Sequence, residues 1–98
     1  MDRNNLERMT NELTQLLVKK NEAYGNAFED DLNEFGLMPS VIQMGHKLKR
    51  IKSLMAGDKP DNGESITDSY RDLAGYCLLT LEWLSRQPQK FTRNKIDA

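Results

Sequence analysis

The chain has 98 residues, enough for one domain built around one core. Hydrophobic residues make up 38% and charged residues 30%, with a formal net charge of −1, which excludes a global electrostatic pull toward nucleic acid or an anionic membrane. A single cysteine excludes an internal disulfide framework and any multi-cysteine zinc site.

No apolar run approaches the roughly 18 residues that a membrane helix needs, and no signal-peptide pattern opens the chain. The expected location is the cytoplasm, or the host cytoplasm if a phage encodes the chain.

The first helix is expected over about residues 5–23, where Leu6, Met9, Leu13, Leu16 and Leu17 recur at helical spacing. Gly25 is a natural stop for it. Tyr24 and Phe28 flank that glycine as candidate anchors, and the Tyr24 hydroxyl needs a polar partner. The run Glu29-Asp30-Asp31-Leu32-Asn33-Glu34 reads as a solvated face or a short helix start. Phe35-Gly36-Leu37-Met38-Pro39 reads as a turn, with Pro39 favouring an extended Met38. Ser40 and Gln43 then fit a capping box.

A second helix is expected over about residues 41–56, with Val41, Met44, Leu48, Ile51 and Met55 as its apolar stripe and Gly45 allowing a neighbour to come close. Its polar side carries His46, Lys47, Lys49, Arg50 and Lys52, and no acid lies between Val41 and Gly57. Residues 57–63 are rich in turn formers. Asn62 is placed to cap a third helix over about residues 63–86, which Gln87-Pro88 stops.

On that third helix Ile66, Tyr70, Leu73 and Cys77 form an apolar stripe, where Cys77 reads as a small buried hydrophobe. Glu64, Asp68 and Asp72 form a file of carboxylates one turn apart. Like charges at that spacing destabilise a helix by a few tenths of a kcal/mol per pair, so the file calls for cationic partners or a ligand. Past Cys77 the helix is apolar on several sides, at Leu78, Leu79, Leu81, Trp83 and Leu84. Either a second contact surface, most simply between copies of the chain, or a central place in the fold explains that excess. The expected architecture is all-α: three main helices in a small bundle or hairpin-based oligomer, one domain over residues 1–87, and a basic polar tail over 88–98.

No phosphate-binding glycine loop, zinc spacing or nucleophile elbow is present. Three features carry chemistry. Glu64, Asp68 and Asp72 offer hard oxygen ligands to a cation such as Mg²⁺, whose remaining shell water or phosphate oxygens complete. Lys47, Lys49 and Arg50 offer cations to phosphate, with His46 beside them. Lys20, Asn21, Tyr24 and Gly25 offer a cation, an amide for a base edge and a ring for stacking. Arg71 and Tyr76 sit beside the carboxylate file and extend the same set. Each feature also has a plain alternative, a solvated polar face or an ion-pair seam between the acid-free helix and the file.

Three ordered blocks carry a resemblance. They are Lys20-Asn21-Glu22-Ala23-Tyr24-Gly25-Asn26-Ala27-Phe28, then Lys47 with Arg50, then Glu64-Ser65-Ile66 with Asp68 and Asp72-Leu73-Ala74-Gly75-Tyr76. Together, over roughly Lys19 to Leu84, they resemble the phage nucleotide-modification-associated domain of the first class. The resemblance implies a small all-α domain of phages and prophages linked to nucleotide metabolism, and it covers Lys20, Asn21, Tyr24, Gly25, Lys47, Arg50, Glu64, Asp68 and Asp72. Two departures bear on a metal: the pattern has an acid where this chain has Glu22 or Ala23, and another where it has His46.

Three functional readings follow. In the first, the protein holds a nucleotide or cyclic nucleotide, for modified-nucleotide handling or to sequester a host signalling nucleotide. In the second, it is a Mg²⁺-dependent nucleoside-triphosphate pyrophosphohydrolase similar to the MazG-like all-α class. That class pairs acids on successive helices, whereas the second helix here is basic. In the third, it is an interaction module for a host protein. Binding without turnover is the reading the residues favour, with a homo-oligomer as the expected assembly and no catalytic residue nominated.

Overall fold

The computed structural model describes residues 1–59 and 65–88, and among these the chain is all-helical. It has four helices: α1 (Arg3–Tyr24), α2 (Ala27–Phe35), α3 (Met38–Met55) and α4 (Ile66–Ser85). The all-α class is as the sequence implies, and the count is one higher than three. The expected Asn62 cap, Glu64 and the tail beyond Pro88 lie outside the described residues.

α1 forms where expected. Asp2 caps it by accepting a hydrogen bond from the Asn5 amide at 3.1 Å, and Gly25 ends it at φ 75°, a conformation that glycine adopts without strain. The acidic run is itself a helix. Asp30 and Glu29 lie in its first turn, where the dipole favours negative charge, and its spacing buries Leu32 while Asp30, Asp31 and Glu34 face solvent. Gly36, at φ 71°, ends α2 after nine residues.

Two expectations around Pro39 are corrected. Met38 is helical, not extended, and α3 starts three residues early with the proline in its first turn, where a missing N–H costs nothing. Ser40 is therefore inside the helix rather than capping it. It is buried, and its hydroxyl lies 2.8 Å from that of Thr80 on α4. Thr80 donates its own proton to the Tyr76 carbonyl at 2.7 Å, so Ser40 is the donor of the pair.

α3 and α4 form an antiparallel hairpin. As α3 advances through Ser40, Met44 and Lys47, its partners on α4 step back through Thr80, Cys77 and Asp72. The seam is lined by small and hydroxyl residues. Ser40, Ser69 and Thr80 are buried with Ile51, while Ile66 and Tyr70 are exposed and Cys77 is half-buried. Of the apolar stripe expected on α4, Cys77 thus reaches the seam while Ile66 and Tyr70 are turned out of it, because small side chains let the two backbones approach and the Ser40 and Thr80 hydroxyls satisfy one another.

The C-terminal end of α4 is where the core sits. Trp83 and Leu84 are buried with Leu32 of α2, and Phe28 and Leu37 pack against them. The Trp83 indole N–H donates to Asn33 Oδ1 at 2.9 Å, and Arg86 bonds Glu29, tying α2 to α4 at two further points. Of the apolar excess of this segment, Trp83 and Leu84 are therefore taken up by the chain's own core, whereas Leu78 and Leu81 stay exposed. α1 differs from the other three helices: it has no buried residue. It lies against α4, with Leu17 next to Gly75, where an added Cβ would stand 3.1 Å from Leu17 Cδ2.

Candidate functional site

Because α1 meets α4 along one line, a groove opens on each side of the contact. The first, of about 430 Å³, runs between the C-terminal half of α1, the start of α2, Lys47 of α3 and the middle of α4. Leu13, Leu16, Leu17 and Leu79 form its apolar wall, and Lys20, Asn21, Tyr24, Gly25, Arg71, Asp72 and Tyr76 supply its polar and aromatic parts. Residues separated by more than fifty positions along the chain are brought together here because α1 ends above the α3–α4 seam. A volume in the range of roughly 300–1,000 Å³ is that of a small-molecule site.

Two groups on the inner side of the groove have defined anchors. Lys47 Nζ lies 3.0 Å from Asp72 Oδ2, so the basic helix and the carboxylate file meet at this point. Phe28 packs edge-on against Tyr76, with centroids 5.1 Å apart and planes at 64°, which orients the Tyr76 ring. Tyr24 stands at the rim with 81% of its surface exposed. Gly25, at φ 75°, turns the chain directly beneath it.

Asp68 has a structural task. Ser65 is the N-cap of α4, and the two residues form a reciprocal capping box: the Asp68 amide donates to Ser65 Oγ at 3.1 Å, and the Ser65 amide donates to Asp68 Oδ2 at 3.1 Å. Arg71 Nη1 bonds the other carboxylate oxygen at 2.9 Å. The Ser65 amide and hydroxyl, with Arg71, hold the Asp68 carboxyl below the usual aspartate range. α4 starts at Ile66 with Ser65 as its N-cap, and Glu64 lies outside the described residues. Asp68 and Asp72 are engaged by Arg71 and Lys47 respectively, and among the described residues no group of three His, Cys, Asp or Glu side chains is placed to hold a metal ion. A cation at these two acids must compete with both ion pairs.

Of the other nominated residues, His46 is exposed on α3 and Arg50 is half-buried, and neither lines the groove.

The second groove, of about 620 Å³, was not foreseen from the sequence. It lies on the other side of α1, over Leu32, Leu78 and Trp83, and Leu17, Asn21, Phe28 and Leu79 border both grooves. Its charges are Glu22, Glu29 and Glu82 against Arg86. Arg86 Nε bonds Glu82 Oε2 at 2.7 Å, and its Nη2 also bonds Glu29. The hydrogen bond from Arg86 holds Glu82 below the usual carboxylate range, and Glu82 with Glu29 raises Arg86 further. The wider groove is acidic, and its cation is fully engaged. The narrower one carries Lys20, Lys47 and Arg71 against Asp72 and is the one suited to an anion. The signal for the second groove was in the sequence as Glu82 and Arg86, one turn apart beside Trp83, but the Glu29 partner needed the fold.

The model of the family described as nucleotide modification associated domain 1 matches residues 20–84. The chain belongs to that family. The match begins at Lys20 and ends at Leu84, so it takes in the whole α2–α4 body and only the last turns of α1. In this nucleotide modification associated domain, the matched span contains every polar residue of the first groove, whereas the apolar wall from α1 lies before it. No curated protein and no solved structure matches the chain.

Proposed function

We propose that the first groove binds a phosphorylated nucleotide, with the phosphates toward Lys20, Lys47 and Arg71 and the base toward Tyr24 and Tyr76. The observation that carries this reading is the convergence of three cations, one amide and two tyrosines on one groove of small-molecule size. Arg71 presents a planar fork to phosphate oxygens, and the lysines act as point charges. Asn21 can donate to and accept from a base edge. Tyr24, exposed at the rim, supplies a face for stacking, and Tyr76 is already set by Phe28. The family's association with nucleotide modification supports the same class of ligand.

Binding does not require a resident metal in this reading. Asp72 keeps Lys47 in place across the groove floor, and a Mg²⁺ ion would enter with the ligand's phosphates. No hydrolytic step is assigned to any residue.

Calorimetry of the protein against nucleoside mono- and triphosphates and cyclic dinucleotides, with and without Mg²⁺, tests the proposal. Binding without product release is expected. Lys47→Ala and Lys20→Ala should each weaken it by roughly tenfold or more, the worth of a hydrogen bond to a charged group. His46→Ala, outside the groove, should leave it unchanged. Silence toward every nucleotide would sink the proposal, and pyrophosphate release would turn the binder into a hydrolase.

A further inference from the structure

Among the described residues, the two mid-helix glycines differ in what they explain. Gly75 is filled in by its own fold, since a Cβ there would meet Leu17 at 3.1 Å. Gly45 has nothing within 4 Å of where its Cβ would be. A glycine inside a helix weakens the helix, and it is retained where another backbone must come close. Within the described chain no backbone uses the notch at Gly45.

The surroundings of that notch are apolar and open. Val41, Leu48 and Met55 recur every seven residues on the same side of α3 and are 60%, 47% and 72% exposed. At 1.5 Å per residue this file is about 21 Å long. The alternate positions, Met44 and Ile51, point into the α4 seam, so α3 carries an inner row that is used and an outer row that is not. Exposed apolar rows of this length mark contact surfaces.

Charge selects the occupant. α3 contains no acid, and its exposed cations on the outer side, Lys49 and Lys52, lie toward its C-terminal end. Directly before its N-terminal end stands α2 with exposed Asp30, Asp31 and Glu34. Along the chain from α2 through α3, the exposed surface is therefore acidic first, apolar around Gly45 next and basic last. Such a pattern is complementary to itself when turned end for end. We infer that the outer face of α3 pairs with the same face of a second copy, antiparallel, across a two-fold axis near Gly45.

An isologous contact of this kind sets one patch against its own copy. The two glycines let the helices approach at the axis, where Ile42 of one copy meets Leu48 of the other. Lys49 and Lys52 are carried away from their counterparts and toward the partner's acidic α2. A parallel pairing would instead stack lysine on lysine. The contact leaves the groove free, because Lys47 faces α4 rather than the outer row. It does not depend on the nucleotide reading.

Sedimentation of the full chain over a range of concentrations tests this. The wild-type chain should dimerise, and the dimer should weaken as salt is raised, since its ends are held by opposite charges. Leu48→Glu should give a monomer, and Gly45→Leu, which fills the notch with a good helix former, should weaken the dimer by roughly tenfold or more. Both variants should keep the wild-type helical circular dichroism. A wild-type chain that stays monomeric at every concentration would overturn the inference, and so would a dimer that survives both substitutions, whose interface must lie elsewhere.

Discussion

α1 and α4 are of similar length, 22 and 20 residues, and both are amphipathic, yet they are held very differently. α4 buries Ser69, Gly75, Thr80, Trp83 and Leu84, whereas α1 buries nothing and leaves Leu6 and Met9 in solvent. An amphipathic pattern states that a helix has an apolar side. It does not state how much of that side finds a partner. Here the hairpin of α3 and α4, locked by α2, is the body of the molecule, and α1 rests on it along one line. The grooves exist because that contact is narrow, so the loosely held helix forms one wall of the candidate site.

Core truncation should separate the two regions most sharply. Trp83→Ala removes the largest buried side chain of the α2–α4 junction and the hydrogen bond to Asn33, and is expected to destabilise the chain by about 3–5 kcal/mol. Leu17→Ala on α1 touches a half-buried residue and should cost about 1 kcal/mol or less in global unfolding. Denaturant titrations of both variants check this, and equal costs would show α1 to be part of the same core. A smaller effect tests the seam itself. Ser40→Ala leaves Thr80 with a buried, unfilled acceptor and should cost about 1–3 kcal/mol, whereas replacing both by apolar residues of similar shape, Ser40→Ala with Thr80→Val, should cost less than the two singly. A double-mutant cycle reads that difference.

The smallest effect concerns the start of α4. Ser65→Ala removes the N-cap side chain and should cost about 1 kcal/mol. The same box makes stability depend on acid pH. The folded-state pKa of Asp68 is depressed, so its contribution is fully present above the ordinary value of 3.8 and is lost as pH falls below that through the folded value. Glu82, held down by Arg86, acts in the same direction. Thermal melts between about pH 5 and pH 2 should therefore show falling stability in the wild type and a shallower fall in Ser65→Ala. A fall of equal slope in both would mean that the cap does not hold the Asp68 charge.

Much of the candidate site was legible before the fold. Lys20, Asn21, Tyr24 and Gly25 stand within six residues on one helix end, and Asp72 and Tyr76, one turn apart on α4, share the side that meets Lys47, while Arg71 beside them stays exposed at the groove. His46 stands next to Lys47 in the sequence and so points some 100° away from it on the helix, whereas Arg50, one turn on from Lys47 and half-buried, does not line the groove. Asp68 belonged to the file by spacing, and its partnership with Ser65 became visible only when the helix was seen to begin at Ile66.

By itself, the sequence determined that the chain is helical, where α1 stops, that α3 is uniformly basic, and which family its residues belong to. Those properties rest on local periodicity, glycine conformation and residue identity, all of which are written along the chain. Only the tertiary structure decided that Ser40 and Thr80 rather than Ile66 and Tyr70 line the seam, that the acidic run is a helix closing over Trp83, and that α1 is held too loosely to bury any side chain. These turn on how closely two backbones approach and which hydroxyl finds which partner, quantities that no periodicity along one chain contains.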